Sequence, residues 1–389
     1  MQIIIIELGL CLLHASLIRT PTGSYNRIDT ALPTCHPILL AAHCFLAYIN
    51  GMQKDPYTYV RIWLFVCILC VLGMVAIGGL TRLTESGLSI VEWKLFSGIF
   101  PPLTEAGWEE ALAEYRQSPE YQKINRGMNI YEFQRIYWLE YIHRLFGRVT
   151  GLVILLPLIF FTLKGTLRGG DLQRGWLAAI LVACQGVIGW LMVKSGLIDD
   201  PRVAPVRLAL HLTTALILLA LLQWSWLKLR PTPLQFPERG TWRVAQITLG
   251  LLFLQIVLGA LVAGWDAGKT YNTWPLMDGK WVPGGLMLLD PWYRNFIDNI
   301  TMVQFQHRMT AIALTLSVFA LAWRCYKHSP APHGRNLGLS LSAMMVVQFA
   351  LGVITLLLVV PIGYASLHQL GAAVLLMLVV LATYRFRPV

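Results

Sequence analysis

Charge is what this 389-residue sequence has least of: Asp, Glu, Lys and Arg together make up 13%, against about 25% in an ordinary globular chain. That is too little to cover a soluble surface of this size. With 56% apolar residues and a mean hydropathy of +0.59, disorder is excluded too. Acidic residues are scarcer than basic ones, 20 against 31, for a net charge of +11. The basic residues are scattered between apolar runs and form no polybasic block, so nucleic acid is not an expected partner. The excess reads instead as the bias of a membrane protein's inner loops. Cysteine supplies no disulfide framework. Of the seven, Cys11, Cys35 and Cys44 lie in the N-terminal stretch, Cys67, Cys70 and Cys184 inside apolar runs, and Cys325 just after another. The Cys67–Cys70 spacing on an apolar helix reads as packing rather than a redox or metal pair.

What the sequence does have is eight apolar runs, each long enough to cross about 30 Å of hydrocarbon. They are Ile62–Leu80, Ile142–Leu163, Trp176–Val193, Leu208–Leu227, Val244–Val262, Val303–Trp323, Leu337–Val360 and Leu367–Thr383. Each must be helical, because lipid cannot satisfy unpaired backbone groups. The expected fold is all-α: a polytopic membrane protein of eight transmembrane helices. The even-numbered links carry Lys164, Arg168, Arg174, Lys228, Arg230, Arg239, Arg243, Arg324, Lys327 and Arg335, with only Asp171 and Glu238 as acids. Both termini are therefore expected on the cytoplasmic side. Residues 1–51 fit this scheme poorly. Ile3–Ile18 is interrupted by Glu7 and lacks a basic leader, and 1–51 reads as a dispensable or non-native extension ahead of Met52.

The chain also repeats itself. His143-Arg144 opens the second run and His307-Arg308 the sixth; His211 opens the fourth and His368 the eighth. Gln185-x-x-x-Gly189, Gln255-x-x-x-Gly259 and Gln348-x-x-x-Gly352 recur in the third, fifth and seventh. Two repeated four-helix bundles of parallel topology are the economical reading, residues 52–230 with a long outer loop at 81–141, then 231–389. A small residue one turn from Gln is also a common packing device.

Four of the nine histidines thus share one depth near the outer face. Any one of them could be a packing or interfacial histidine, but ionisable residues inside a membrane point to function. Paired histidines on facing helices are how a bundle grips a haem iron. Zinc normally takes three or four protein ligands, and no thiolates accompany these pairs. The expectation is one haem per half, on His143 with His211 and on His307 with His368. The halves differ at one place: three residues before His143 stands Glu140, and before His307 stands Gln304. The i, i+3 spacing puts each on its histidine's face. Chemistry is expected in the first half and electron relay or structure in the second, a snorkelling surface Glu140 being the alternative.

Three polar stretches, Gly78–Ile90, Glu140–Arg148 and Asp266–Gly279, resemble the haem A synthase family, with similarity from about Met52 to the end. The resemblance implies oxidation of the C8 methyl of haem O to a formyl group by two successive hydroxylations, giving haem A for cytochrome c oxidase. It implies substrate haem O and product haem A at His143 and His211, an acid at Glu140, and a haem b cofactor at His307 and His368. No cysteine occurs between Thr81 and Tyr141, unlike members with a cysteine pair in that loop; the long acidic loop is similar to the alphaproteobacterial and mitochondrial subgroup. Arg144 and Arg308 are candidates for pairing haem propionates. Expected partners are haem O, a haem O synthase, an electron donor that the sequence does not identify, the lipid bilayer and a second copy of the chain. The expected location is a bacterial inner membrane, with the mitochondrial inner membrane as alternative. The rival function is a di-haem b-type electron-transfer protein linked to quinol; a transporter is disfavoured because no run is broken at mid-membrane.

Overall fold

A computed structural model of the chain describes residues 55–92, 99–198, 203–231 and 234–388. All eight apolar runs are helices long and apolar enough to cross a membrane: α1 Thr58–Leu83, α2 Ile130–Leu163, α3 Gly169–Gly196, α4 Pro205–Lys228, α5 Arg239–Gly264, α6 Ile300–His328, α7 His333–Leu357 and α8 Ile362–Phe386. No strand occurs among the described residues. The chain divides into two compact units, 1–59 and 60–389. In the first, Asp55 caps the start of α1 by accepting from Tyr57 N and Thr58 N. The expectation for residues 1–51 falls outside the described residues.

The second unit holds the bundle. Its second ring closes on itself: α5 packs on α6, α6 on α7, α7 on α8 and α8 on α5. The first ring follows the same order, with α2 on α3 and α3 on α4. Trp63 Nε1 on α1 donates to the Val153 carbonyl of α2 at 2.8 Å, and the Phe65 and Trp226 rings bring α1 against α4 at 6.4 Å. Each ring offers its first and fourth helices to the other. α4 packs on α5 and α8, Gln223 on α4 donates to Met377 O of α8 at 2.8 Å, and Gln369 on α8 donates to Val75 O of α1 at 2.7 Å. Two glycines permit these approaches: a Cβ on Gly79 would stand 2.8 Å from the Gln369 amide, and one on Gly264 2.7 Å from Pro205. Several Thr and Ser hydroxyls inside the helices, Thr150, Ser225 and Thr383 among them, return to the carbonyl one turn back at 2.8 Å, which satisfies them within their own helix.

Helix ends are set by caps rather than by hydropathy. α2 starts twelve residues before the expected Ile142. Asn129 and Glu132 form a reciprocal capping box there, and the polar turns they launch stand above the apolar run. His143 consequently lies well inside its helix, whereas His211, His307 and His368 lie in the second or third turn of theirs. The link between α1 and α2 is a folded cap. Short helices Glu105–Arg116 and Pro119–Lys123 bury Leu112 and Tyr115 against Phe133, Tyr137 and Tyr141 of the projecting end of α2. Tyr115 stacks on Phe133 at 5.2 Å and Trp108 meets Tyr137 edge-on at 5.0 Å.

Candidate functional site

The four histidines are presented in one way. Each is half-buried, and each sits beside a glycine of the helix that precedes its own. A Cβ on Gly78, Gly189, Gly259 or Gly352 would stand 3.2, 3.4, 3.0 or 2.8 Å from the ring of His143, His211, His307 or His368 respectively. A Cβ at Gly352 would displace the imidazole, one at Gly78 or Gly259 would press on it, and one at Gly189 would just touch it. All four expected histidines are thus seated alike, each against a glycine of the preceding helix.

A third feature is shared. One turn past Glu140, Arg144 donates to Glu140 Oε1 from Nε at 3.0 Å and Nη2 at 2.6 Å, and to the Ile90 carbonyl at 2.8 Å. Glu140 Oε2 accepts from Ser89 Oγ at 2.7 Å and Ile90 N at 2.8 Å. In the other half Arg308 donates to Gln304 Oε1 at 3.3 Å, Tyr271 O at 2.7 Å and Thr273 O at 2.8 Å, while Gln304 Nε2 donates to Ala267 O at 2.8 Å. Both acid-or-amide positions are only 2% exposed. Each pair grips the outer loop of its own half. The first loop offers donors, which need a carboxylate; the second offers a carbonyl, which needs an amide. The arginines, read from the sequence as propionate partners, point largely at loop carbonyls. Arg308 Nε is buried without a partner.

The sequence reading missed the residues that these clamps hold. Ser89 and Ile90 carry no chemical signature, though they end the first resembling stretch. It also missed the link between halves: Arg82 reaches Ala263 O at 2.6 Å and Asp266 at 3.3 Å, and Lys269 bridges Asp266 at 3.1 Å and Glu85 at 3.8 Å. Glu85 and Asp266 are both in the left-handed region, at φ 54° and 51°, where few residues other than Gly, Asn and Asp settle. All three resembling stretches thus meet around one end of the helices, that of the α1–α2 and α5–α6 links.

With that geometry in hand, a family described as cytochrome oxidase assembly protein matches residues 61–380. The chain belongs to this family. A heme A synthase from Rhodopseudomonas palustris (strain BisA53) is 45% identical over 336 residues, covering 86% of this chain and 92% of its own. One from Nitrosospira multiformis is 44% identical over 324 residues, covering 81% and 90%. One from Nitrosomonas eutropha is 41% identical over 339 residues, covering 83% and 93%.

The site's donors fit a planar iron cofactor better than a bare metal ion. Among the described residues no group of three or more His, Cys, Asp or Glu gathers, so a structural zinc centre has no ligand set. The four imidazoles, each with a glycine beside its ring, are of the donor type that commonly holds a haem iron. His211 Nδ1, Thr213 Oγ1 and Ser366 Oγ are buried without partners on the two helices that carry second histidines.

Proposed function

We propose that this chain oxidises the C8 methyl group of haem O to a formyl group, giving haem A. The observation that carries this reading is the fourfold His–Gly arrangement in a chain that belongs to a family containing heme A synthases. Haem O and haem A occupy the first half, between His143 and His211. A haem b occupies the second, between His307 and His368, where it supplies one-electron relay. Each hydroxylation replaces one methyl C–H by C–OH and draws two electrons from the carbon, which a two-electron oxidant from outside the chain must accept, and the geminal diol loses water to leave the formyl group.

The chain's own part is binding, orientation and electrostatics. His143 and His211, seated against Gly78 of α1 and Gly189 of α3, would hold the substrate haem. Glu140 carries its negative charge at the outer end of the same helix face, one turn from His143. Because both its oxygens are engaged by donors, its role is electrostatic control and loop positioning at the substrate edge. Arg144 keeps that carboxylate in one rotamer, and the 86–92 loop closes over it.

The chain is a multi-pass membrane protein. Its basic even-numbered links and its bacterial relatives support a bacterial inner membrane with cytoplasmic termini. Residues 52–230 and 231–389 form the substrate and relay halves, and 1–51 are dispensable. The cap, with exposed Glu105, Glu109 and Glu110, is the surface offered to an electron donor or to a haem O synthase.

The near-equivalence of the two clamps favours one rival, a di-haem electron-transfer protein with no chemistry on its own haem. Extracting haem from membranes that co-express a haem O source separates the two. Haem A that forms only with this chain supports the enzyme; haem O left unchanged supports the carrier.

A further inference from the structure

Three of the four histidines meet a glutamine on the preceding helix, one turn before the glycine that admits the ring. Gln348 Nε2 donates to the His368 carbonyl at 2.9 Å, and His368 Nδ1 donates to the Gln348 carbonyl at 3.2 Å. That clasp puts the ring proton on Nδ1 and leaves Nε2 the nitrogen with the lone pair. The Gln255 amide lies across the edge of His307, 3.1 Å from Nδ1 and 3.2 Å from Nε2. Gln185 Nε2 donates to the His211 carbonyl at 3.0 Å, while His211 Nδ1 is buried without a partner. The hold therefore weakens from the second half to the first.

On α1 the brace is missing. Met74 stands where the glutamine would, four residues before Gly78. Its methyl lies toward α2 at Gly147, 3.5 Å from where a Cβ there would stand. Among the described residues no hydrogen bond joins α1 to His143. The ring is also turned differently: Nε2 is its nearest atom to Gly78, whereas Cε1 is nearest to Gly189, Gly259 and Gly352.

A resident cofactor must stay bound, whereas a substrate haem must enter and its product leave. We propose that Gln185, Gln255 and Gln348 are positioning residues for their histidines, and that the missing fourth, at Met74, makes His143 the ligand that lets go when haem exchanges in the first half. This rests on the function proposed above. It assigns the exchange path to the α1–α2 side, and it explains why the glutamine motif appears in three spans rather than four.

The test uses the full chain purified with haem in both halves and challenged with excess apomyoglobin, which takes up released haem with a spectral change. Outer partners of iron-binding histidines typically matter by about 10–100-fold. Met74→Gln, which installs the missing amide, is expected to slow loss of the first-half haem by about tenfold and to leave haem b unchanged. Gln348→Met, the reverse exchange, is expected to speed loss of haem b by about tenfold and to alter its low-spin spectrum. A wild-type exchange rate in Met74→Gln, or wild-type retention in Gln348→Met, overturns the proposal. Should Met74→Gln not accumulate, Gln185→Met reads the same half: faster loss supports the brace and an unchanged rate overturns it. Failure of the functional reading itself would be visible separately, as membranes with a haem O source and the wild-type chain that form no haem A.

Discussion

Arg144 holds Glu140 from one helical turn away with two nitrogens on a single oxygen, at 3.0 and 2.6 Å. The other oxygen is thereby reserved for Ser89 and Ile90. Glu140→Gln keeps the shape but replaces one oxygen by an NH2 group, which must then face either the guanidinium or the two loop donors. A buried donor without its acceptor costs about 1–3 kcal/mol, and the charge at the substrate edge is lost as well. Haem A formation is expected to fall by roughly 10²-fold or more, with haem content retained because both histidine pairs are untouched. Ser89→Ala deletes one donor, spares the carboxylate, and is expected to cost less than about tenfold. Wild-type haem A output from Glu140→Gln at matched protein level would leave Glu140 with no part in the oxidation.

The relay half is expected to lose its haem when either axial nitrogen goes. His307→Ala and His368→Ala each remove one imidazole and open a space beside Gly259 or Gly352. Reduced-minus-oxidised spectra of both variants are expected to lack the low-spin haem b signal, and His143→Ala is expected to keep it. An unchanged signal in both second-half variants refutes the assignment.

The family match begins at residue 61, and none of the four histidines lies before it. A chain beginning at Met52 is therefore expected to insert and to make haem A at the wild-type level. A shortened protein that accumulates in membranes yet forms no product would assign 1–51 a role.

Much of this was legible in the sequence because hydropathy and helical spacing are local signals. Eight apolar runs became eight helices, and the four repeat-related histidines each came to lie against a glycine of the preceding helix. The start of α2 was not legible from hydropathy, because the Asn129–Glu132 capping box extends the helix into polar sequence. The Gln-x-x-x-Gly motif was visible but ambiguous: small residues promote any close helix approach, and only the geometry shows imidazoles filling the space. Contacts between distant polar segments, such as Ser89 with Glu140 or Arg82 with Asp266, leave no periodic trace at all. Whether position 140 needs an acid depends on which way a loop fifty residues earlier turns its N–H groups.

The outer cap carries its own titrating group. Glu120 is only 3% exposed and accepts from Tyr115 Oη at 2.9 Å, with Asn125 donating to the same hydroxyl at 2.8 Å. Burial, reinforced by the charges of Glu140 and Glu85 and opposed by the tyrosine's hydrogen bond, pushes its carboxyl up to about 7. Burial raises the Tyr115 hydroxyl too, so the tyrosine stays a donor throughout. Between the unfolded carboxyl's ordinary value of about 4.3 and about 7, the folded cap binds more protons than the unfolded one. Stability is then fully present below the lower value and falls as pH rises through the upper, by on the order of 3 kcal/mol in all. Hydrogen exchange of residues 105–125, corrected for intrinsic rates, is expected to show protection falling from pH 5 to pH 8. Glu120→Gln keeps an acceptor for Tyr115 and cannot ionise, so its protection is expected to stay level across that range. Equal slopes in the two proteins would mean that the pH response arises elsewhere, and that Glu120 is held neutral or charged throughout.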